Sequence, residues 1–217
     1  MSIEGSITAL VTPMNEKGDL DYNSLEKLIN FQIDSGISGL VAVGTTGESA
    51  TIDFEDHIKL IEFFIKISNG RVHIIAGTGA NSTEEALHLT REAKNLGADA
   101  ALLVSPYYNK PPQEGIYRHH AKIADEVDIP QILYNVPSRT ASFIEPETVQ
   151  RLSSHQNIMG IKDATGDMKN LSEVLKLCEE NIKSKNFFLY SGDDFSFLEF
   201  LKKGGHGTIS VTSNVVP

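Results

Sequence analysis

Lys162 stands in the run IMGIKDATGD, residues 158–167, behind four apolar or glycine positions. Such a run reads as a buried strand, with Gly160 and Lys162 on one face and Met159 and Ile161 on the other. Lysine is seldom buried unless it is paired, and burial disfavours its charged form. A free lysine has a pKa of about 10.4, which leaves roughly one amine in 2,500 neutral at pH 7. Bringing that pKa to about 7 takes roughly 4–5 kcal/mol of environmental bias. An amine so tuned attacks a carbonyl and forms an imine, whereas a lysine paired with Asp163 or another carboxylate is a structural ion pair. The strand alone leaves both readings open.

Other residues bear on that choice. Tyr134, in ILYNVPSRT, ends another strand, and alternation sets it on the same face as Ile132. There its phenol either relays protons, as imine and carbon–carbon chemistry require, or serves as a satisfied core hydroxyl. Arg139 follows on the next loop, where a guanidinium either grips a carboxylate or is simply solvated. GTTGES at 44–49 supplies backbone N–H groups and the hydroxyls of Thr45 and Thr46 for an anion. It lacks the GK[ST] ending of a phosphate-binding loop. GTGANS at 77–82 lacks the third glycine of a dinucleotide fingerprint. SPYYNKPP at 105–112 offers an aromatic contact for a ligand or another subunit, and SGDD at 191–194 and GTISVTSN at 207–214 add small polar groups.

The elements that must hold these residues alternate. Strands are predicted over 5–12, 39–44, 73–77, 100–105, 131–135, 158–163, 187–191 and 207–212, with helices over 23–35, 53–68, 82–96, 113–127, 145–154, 169–181 and 195–203. The helix at 82–96 shows the logic: Ser82 caps it, Glu84 and Glu85 sit in the first turn, Ala86, Leu89, Ala93 and Leu96 recur at helical spacing, and Gly97 stops it. AALLVSP, next along, is the short continuous apolar run of a strand covered on both faces. Eight strands alternating with seven helices predict a (β/α)8 TIM barrel in one domain spanning 1–217. Thr45, Thr46, Tyr107, Tyr108, Tyr134, Lys162, Asp193 and Ser210 all fall where strands finish, the face on which such barrels build active sites. The sequence stops at Pro217, directly after the eighth strand. With no eighth helix following, the outer face of that strand is expected to be exposed or covered by a neighbour.

Composition narrows the function classes. Net charge is −10 and no basic stripe interleaves with aromatics, which argues against nucleic acid. No window approaches the roughly 18 apolar residues of a membrane span, and the N-terminal MSIEGSITALVTP lacks the basic flank of a signal peptide. The single cysteine, Cys178, reads as a buried helix residue and suits a reducing cytoplasm. The seven histidines are scattered without ligand spacing, so no metal is expected.

GTTGES, YYNKP, YNVPSRT, IKDATGD, SGDD and GTISVTSN, in that order, resemble the 4-hydroxy-tetrahydrodipicolinate (dihydrodipicolinate) synthase family from about residue 3 to the last residue. The resemblance implies a cytoplasmic lyase of lysine and diaminopimelate biosynthesis, condensing pyruvate with aspartate semialdehyde without a cofactor, through a covalent imine on Lys162. It implies a proton relay of Tyr134, Thr45 and Tyr108, with Tyr108 reaching in from the neighbouring subunit of a homodimer or homotetramer. It assigns pyruvate's carboxylate to Thr46, the semialdehyde's carboxylate to Arg139, and the lining to the Gly192 and Ile209 backbones. A lysine feedback site would fall on Ser49, Ala50, His57, Asn81, Glu85 and Tyr107, with Phe54 where inhibited members often carry histidine. Members usually continue into an eighth helix and a helical C-terminal region. A sister pyruvate-dependent aldolase of the N-acetylneuraminate lyase type, a non-catalytic binding barrel and an inactive truncated barrel are the alternatives.

Overall fold

The computed structural model describes residues 3–217. Eight parallel strands, β1 (Gly5–Ala9), β2 (Gly39–Ala42), β3 (His73–Gly77), β4 (Ala100–Val104), β5 (Gln131–Asn135), β6 (Ile158–Asp163), β7 (Phe188–Ser191) and β8 (Gly207–Ser210), close in chain order into a barrel. The helices between them are α1 (Tyr22–Asp34), α2 (Phe54–Ser68), α3 (Thr83–Leu96), α4 (Gln113–Glu126), α5 (Pro137–Thr140), α6 (Pro146–Ser153), α7 (Met168–Leu177), α8 (Glu179–Lys183) and α9 (Phe197–Lys202). The predicted TIM barrel is therefore the observed one. Its strands are shorter than their apolar runs because pairing stops where each chain turns outward into a loop.

Local chemistry starts and stops the helices as read. Ser82 Oγ accepts from Glu85 N at 3.4 Å at the head of α3, and Gly97 closes it in the left-handed region at φ 95°. Asp53 caps α2 in the same way, accepting from Asp56 N at 2.9 Å. The predicted helix 169–181 is broken at Cys178, whose backbone leaves the helical region and whose side chain is buried between α7 and α8. One helix went unread: α5, a single turn opened by Pro137.

Two hydrophobic layers follow from strand alternation. Ile7, Val41, Ile75, Leu102, Ile132, Phe188 and Ile209 fill the barrel interior, while Leu40, Leu133 and Leu189 face outward onto the helices. Met159 departs from the expected face. It packs with the interior cluster, whereas Ile158 and Ile161 pack outward. The cause is an irregularity in the β5–β6 register, where Gln131 pairs with Ile158 but Ile132 pairs with Gly160, so Met159 is the extra residue. Beyond it the register is regular and aligns Tyr134 with Lys162, and Lys162 with Tyr190.

The seam between β1 and β8 joins Gly5 to Gly207. A Cβ on Gly207 would lie 2.4 Å from the Gly5 carbonyl oxygen, so only glycine lets these backbones meet. The outer face of the last strand, expected to be exposed or covered by a neighbour, is already buried within this chain at Thr208 and Ser210. Thr208 Oγ1 donates to Ser191 O, and Ser213 N donates to Ser210 Oγ from the turn Thr212–Asn214. That turn folds back onto β1, where Asn214 accepts from Val11 N at 3.1 Å and donates to Ala9 O at 2.9 Å. The exposed apolar side chains lie just beyond, at Val211, Val215 and Val216.

Gln32 of α1 locks this closure. Fully buried, it accepts from Thr8 Oγ1 at 2.7 Å and donates to Ser213 O at 2.8 Å. Replacing it with alanine strands both partners in the interior. Gln32→Ala is expected to lower stability by roughly 1–3 kcal/mol in urea denaturation; an unchanged midpoint would show that the seam does not depend on this bridge.

Candidate functional site

The C-terminal ends of β5, β6 and β7 set three side chains side by side. Tyr134, Lys162 and Tyr190 occupy paired register positions and point into the barrel. Lys162 is buried, and its Nζ lies 4.2 Å from the centre of the Tyr134 ring. Glycines make room for it. A Cβ on Gly192 would come within 2.8 Å of Lys162 Cε and of Ala164 Cβ. A Cβ on Gly160 would strike Phe188 O at 2.4 Å.

The ion-pair reading of Lys162 fails on geometry. Asp163 points to the outer side, where its carboxylate accepts from Thr165 N at 3.0 Å and from Asn170 Nδ2 at 2.7 Å. Lys162 takes part in none of the ion pairs among the described residues. Burial lowers its pKa to about 7; Asp194 opposes that shift and Arg139 reinforces it. Near pH 7 a substantial fraction of this amine is therefore neutral and nucleophilic. Burial raises the Tyr134 phenol, while a hydrogen bond with Thr45 and the charge of Arg139 pull it back. The phenol thus stays protonated beside the amine.

The remaining sequence-predicted residues divide. Thr45 and Thr46 lie on the turn after β2, and Arg139 lies exposed on α5 rather than on a plain loop. Gly192 abuts Lys162, and Ile209 is buried in the interior layer. Tyr108 is not brought to the site: it is 90% exposed and held at φ 72°. Thr45 and Arg139 also line a cavity of about 330 Å³ whose walls include Ser49, Ala50, His57, Glu85 and Tyr107. Asn81 stands next to it, donating to Tyr107 O at 3.3 Å. His57 Nε2 donates to Gly77 O at 2.7 Å, and burial lowers its pKa, so the ring is neutral. Phe54, another wall residue, stacks on His88 with centroids 4.8 Å apart.

The family model described as the dihydrodipicolinate synthetase family matches residues 2–217. The chain belongs to that family. A 4-hydroxy-tetrahydrodipicolinate synthase of Alcanivorax borkumensis is 56% identical over 215 residues, covering 99% of this chain and 71% of that protein. One of Thermodesulfovibrio yellowstonii is 54% identical, covering 99% and 72%. Among solved structures, the chloride-inhibited dihydrodipicolinate synthase of Acinetobacter baumannii, complexed with pyruvate, superposes with TM-score 0.95 at 50% identity, over 100% of this chain and 72% of that one. The synthase of Cyanidioschyzon merolae with lysine bound gives TM-score 0.92 at 39% identity, over 98% and 71%.

Within this dihydrodipicolinate synthetase barrel, two residues near the lysine carried little weight in the sequence. Tyr190 has no hydrogen-bond partner for its hydroxyl among the described residues, and burial drives its pKa upward. Strand alternation from Phe188 would have placed it inside. Asp194 is the carboxylate whose charge reaches Lys162; only the fold brings the loop after β7 against β6.

The lowered pKa gives a pH test with a definite sign. Below about pH 7 Lys162 is protonated and unreactive. Its own rate of acetylation by trace acetic anhydride should fall about tenfold per pH unit below that point and level off above it, while surface lysines keep rising toward pH 10. A rise continuing to pH 10 would place the amine in an ordinary environment.

Proposed function

We propose that this chain is a 4-hydroxy-tetrahydrodipicolinate synthase, a lyase joining pyruvate to L-aspartate 4-semialdehyde through an imine on Lys162. The observation that carries the reading is the buried amine, its pKa brought to about 7, 4.2 Å from the Tyr134 ring. The family's names agree with it, and the Acinetobacter structure holds pyruvate.

In this reading the neutral Lys162 attacks the ketone of pyruvate, water leaves, and an imine forms. Tyr134 and Thr45 pass the protons that the carbinolamine must gain and lose. Loss of a methyl proton gives an enamine, whose carbon attacks the aldehyde of the semialdehyde. The substrate's own amino group then attacks the imine carbon, closing the ring and returning Lys162 as the free amine. The covalent lysine supplies the electron sink, so no cofactor is invoked. Thr46 and the Gly192 and Ile209 backbones hold pyruvate, and Arg139, exposed on α5, takes the semialdehyde's carboxylate.

Tyr108, held away from its own barrel, serves the neighbouring subunit of a homodimer or homotetramer in this reading. A side chain 90% exposed in a left-handed conformation suits a contact made outside the chain. One relative, a monomeric dihydrodipicolinate synthase variant, has TM-score 0.95 at 40% identity. The cavity of Ser49, Ala50, His57, Glu85 and Tyr107, with Asn81 beside it, is assigned to lysine feedback, and the chain to the cytoplasm.

Pyruvate with borohydride should leave a stable adduct mass on Lys162 and none on Lys162→Ala; an unlabelled Lys162 in folded protein would remove the mechanism. Arg139→Ala should still take the pyruvate adduct but lose about 10–100-fold in kcat/KM for the semialdehyde, the worth of a charge-assisted pair. Equal losses in both steps would contradict its role.

A further inference from the structure

Arg139 sits on a very small piece of structure. α5 has four residues, opened by Pro137 and ended by Ala141, which takes the left-handed conformation at φ 53° without being glycine. A helix this short does not hold itself together, and left-handed backbone at such a residue is strained. The Arg139 side chain is exposed, lines a cavity together with Thr45, and takes part in none of the ion pairs among the described residues. Its guanidinium is therefore only as well placed as the turn that carries it.

A buried clasp ties that turn to the loop after β4. Ser142 Oγ donates to Pro106 O at 2.7 Å, and Tyr108 N donates back to Thr140 O at 3.4 Å. Ser142, Thr140 and Pro106 are all buried. Thr140 Oγ1 knits the near side, donating to Ser142 O at 2.8 Å and accepting from Ser142 N at 3.2 Å. Ile144 N donates to Asn135 Oδ1 at 3.1 Å and anchors the chain where it leaves the clasp. The loop on the far side carries two more left-handed residues, Tyr108 at φ 72° and Lys110 at φ 47°. Asn81 Nδ2 pins it by donating to Tyr107 O at 3.3 Å. Three strained residues thus flank two bonds, of which the Ser142 bond is the short, buried one. Such strain persists only where the surroundings over-determine it.

Resting on the synthase reading above, we propose that Ser142 is a positioning residue: its hydroxyl bond to Pro106 holds the turn that presents Arg139 to the semialdehyde's carboxylate. Ser142 touches no substrate and acts through Arg139. Lys162 and Tyr134 are set by the β5–β6 register instead, so the site of the first substrate stands apart from the clasp.

The test separates positioning from mere stapling of two loops. In Ser142→Ala the rate at which borohydride traps pyruvate on Lys162 should stay within about twofold of wild type. Its kcat/KM for the semialdehyde should fall about tenfold, chiefly through KM, as misplacing a substrate-holding group does. With Arg139→Ala already in place, Ser142→Ala should cost less than about twofold more, because residues that act as one unit are not additive. Hydrogen exchange in peptides covering 137–144 should quicken in Ser142→Ala, with β6 unchanged. A staple without a part in substrate binding gives another pattern: imine trapping and kcat/KM fall by one factor, or neither falls, or the losses of the two substitutions multiply. Each of these overturns the proposal, and so does unchanged exchange at 137–144. If Ser142→Ala does not fold, Thr140→Val, which removes the hydroxyl that knits Ser142 to the turn, takes its place with the same expectations. A wild-type chain that takes no pyruvate adduct sinks the synthase reading, and this proposal with it, through a measurement that involves no Ser142 variant.

Discussion

The structure turns on keeping one amine dry. A lysine whose pKa falls from 10.5 to about 7 corresponds to a bias on the order of 5 kcal/mol against its charged form. That bias is comparable to the whole net stability of many domains, so the surroundings must be too rigid to relax around it. A barrel interior provides this. The Tyr134 ring covers the amine on one side, and Gly192 and Gly160 let backbone close in where any Cβ would collide. The linkage has a sign. The unfolded chain binds this proton more tightly than the folded one, so between about pH 7 and 10.5 the Lys162 contribution makes the fold more stable as pH rises. The native state is therefore under tension at the pH where the amine is useful, and the layers of Ile7, Ile75, Leu102 and Phe188 below supply the compensating burial.

The seam between first and last strands carries a matching constraint. Gly5 and Gly207 bring two backbones together, and Gln32 and Asn214 tie the far side of β8 to β1 and α1. The same stretch donates to Asp194 through Val211 and Thr212. Closing the barrel and placing a carboxylate at its rim are thus one set of hydrogen bonds.

Much of this was legible in the residues. Alternation gave the eight strands, and caps such as Ser82 gave the helices, because these signals are local. Lys162 stood out because a charge inside an apolar run is costly wherever the run folds. What escaped was non-local. The β5–β6 irregularity that turns Met159 inward depends on a partner strand twenty-seven residues away from its site of mispairing, at Gln131 and Ile158. Ser210 is met by the single turn Thr212–Asn214 contributed by the following residues, and Thr208 bonds Ser191 of β7. SGDD reads onto the same face as the lysine, but nothing in it singles out Asp194 from its neighbours.

The cavity lined by His57 and Glu85 shares wall residues with the proposed site. Thr45, which hydrogen-bonds Tyr134, and Arg139, whose charge reaches Lys162, both line it. His57, buried in the same wall, donates to the carbonyl of Gly77 at the end of β3. A Cβ on Gly77 would lie 2.4 Å from the Val43 carbonyl oxygen, just before the turn that bears Thr45. A ligand seated there needs no long relay to be felt. On the feedback proposal, a ligand that shifted Arg139 or Thr45 would couple to the amine and the phenol through direct contact. The two functions would then share one wall, so the cavity's position would carry more meaning than its size.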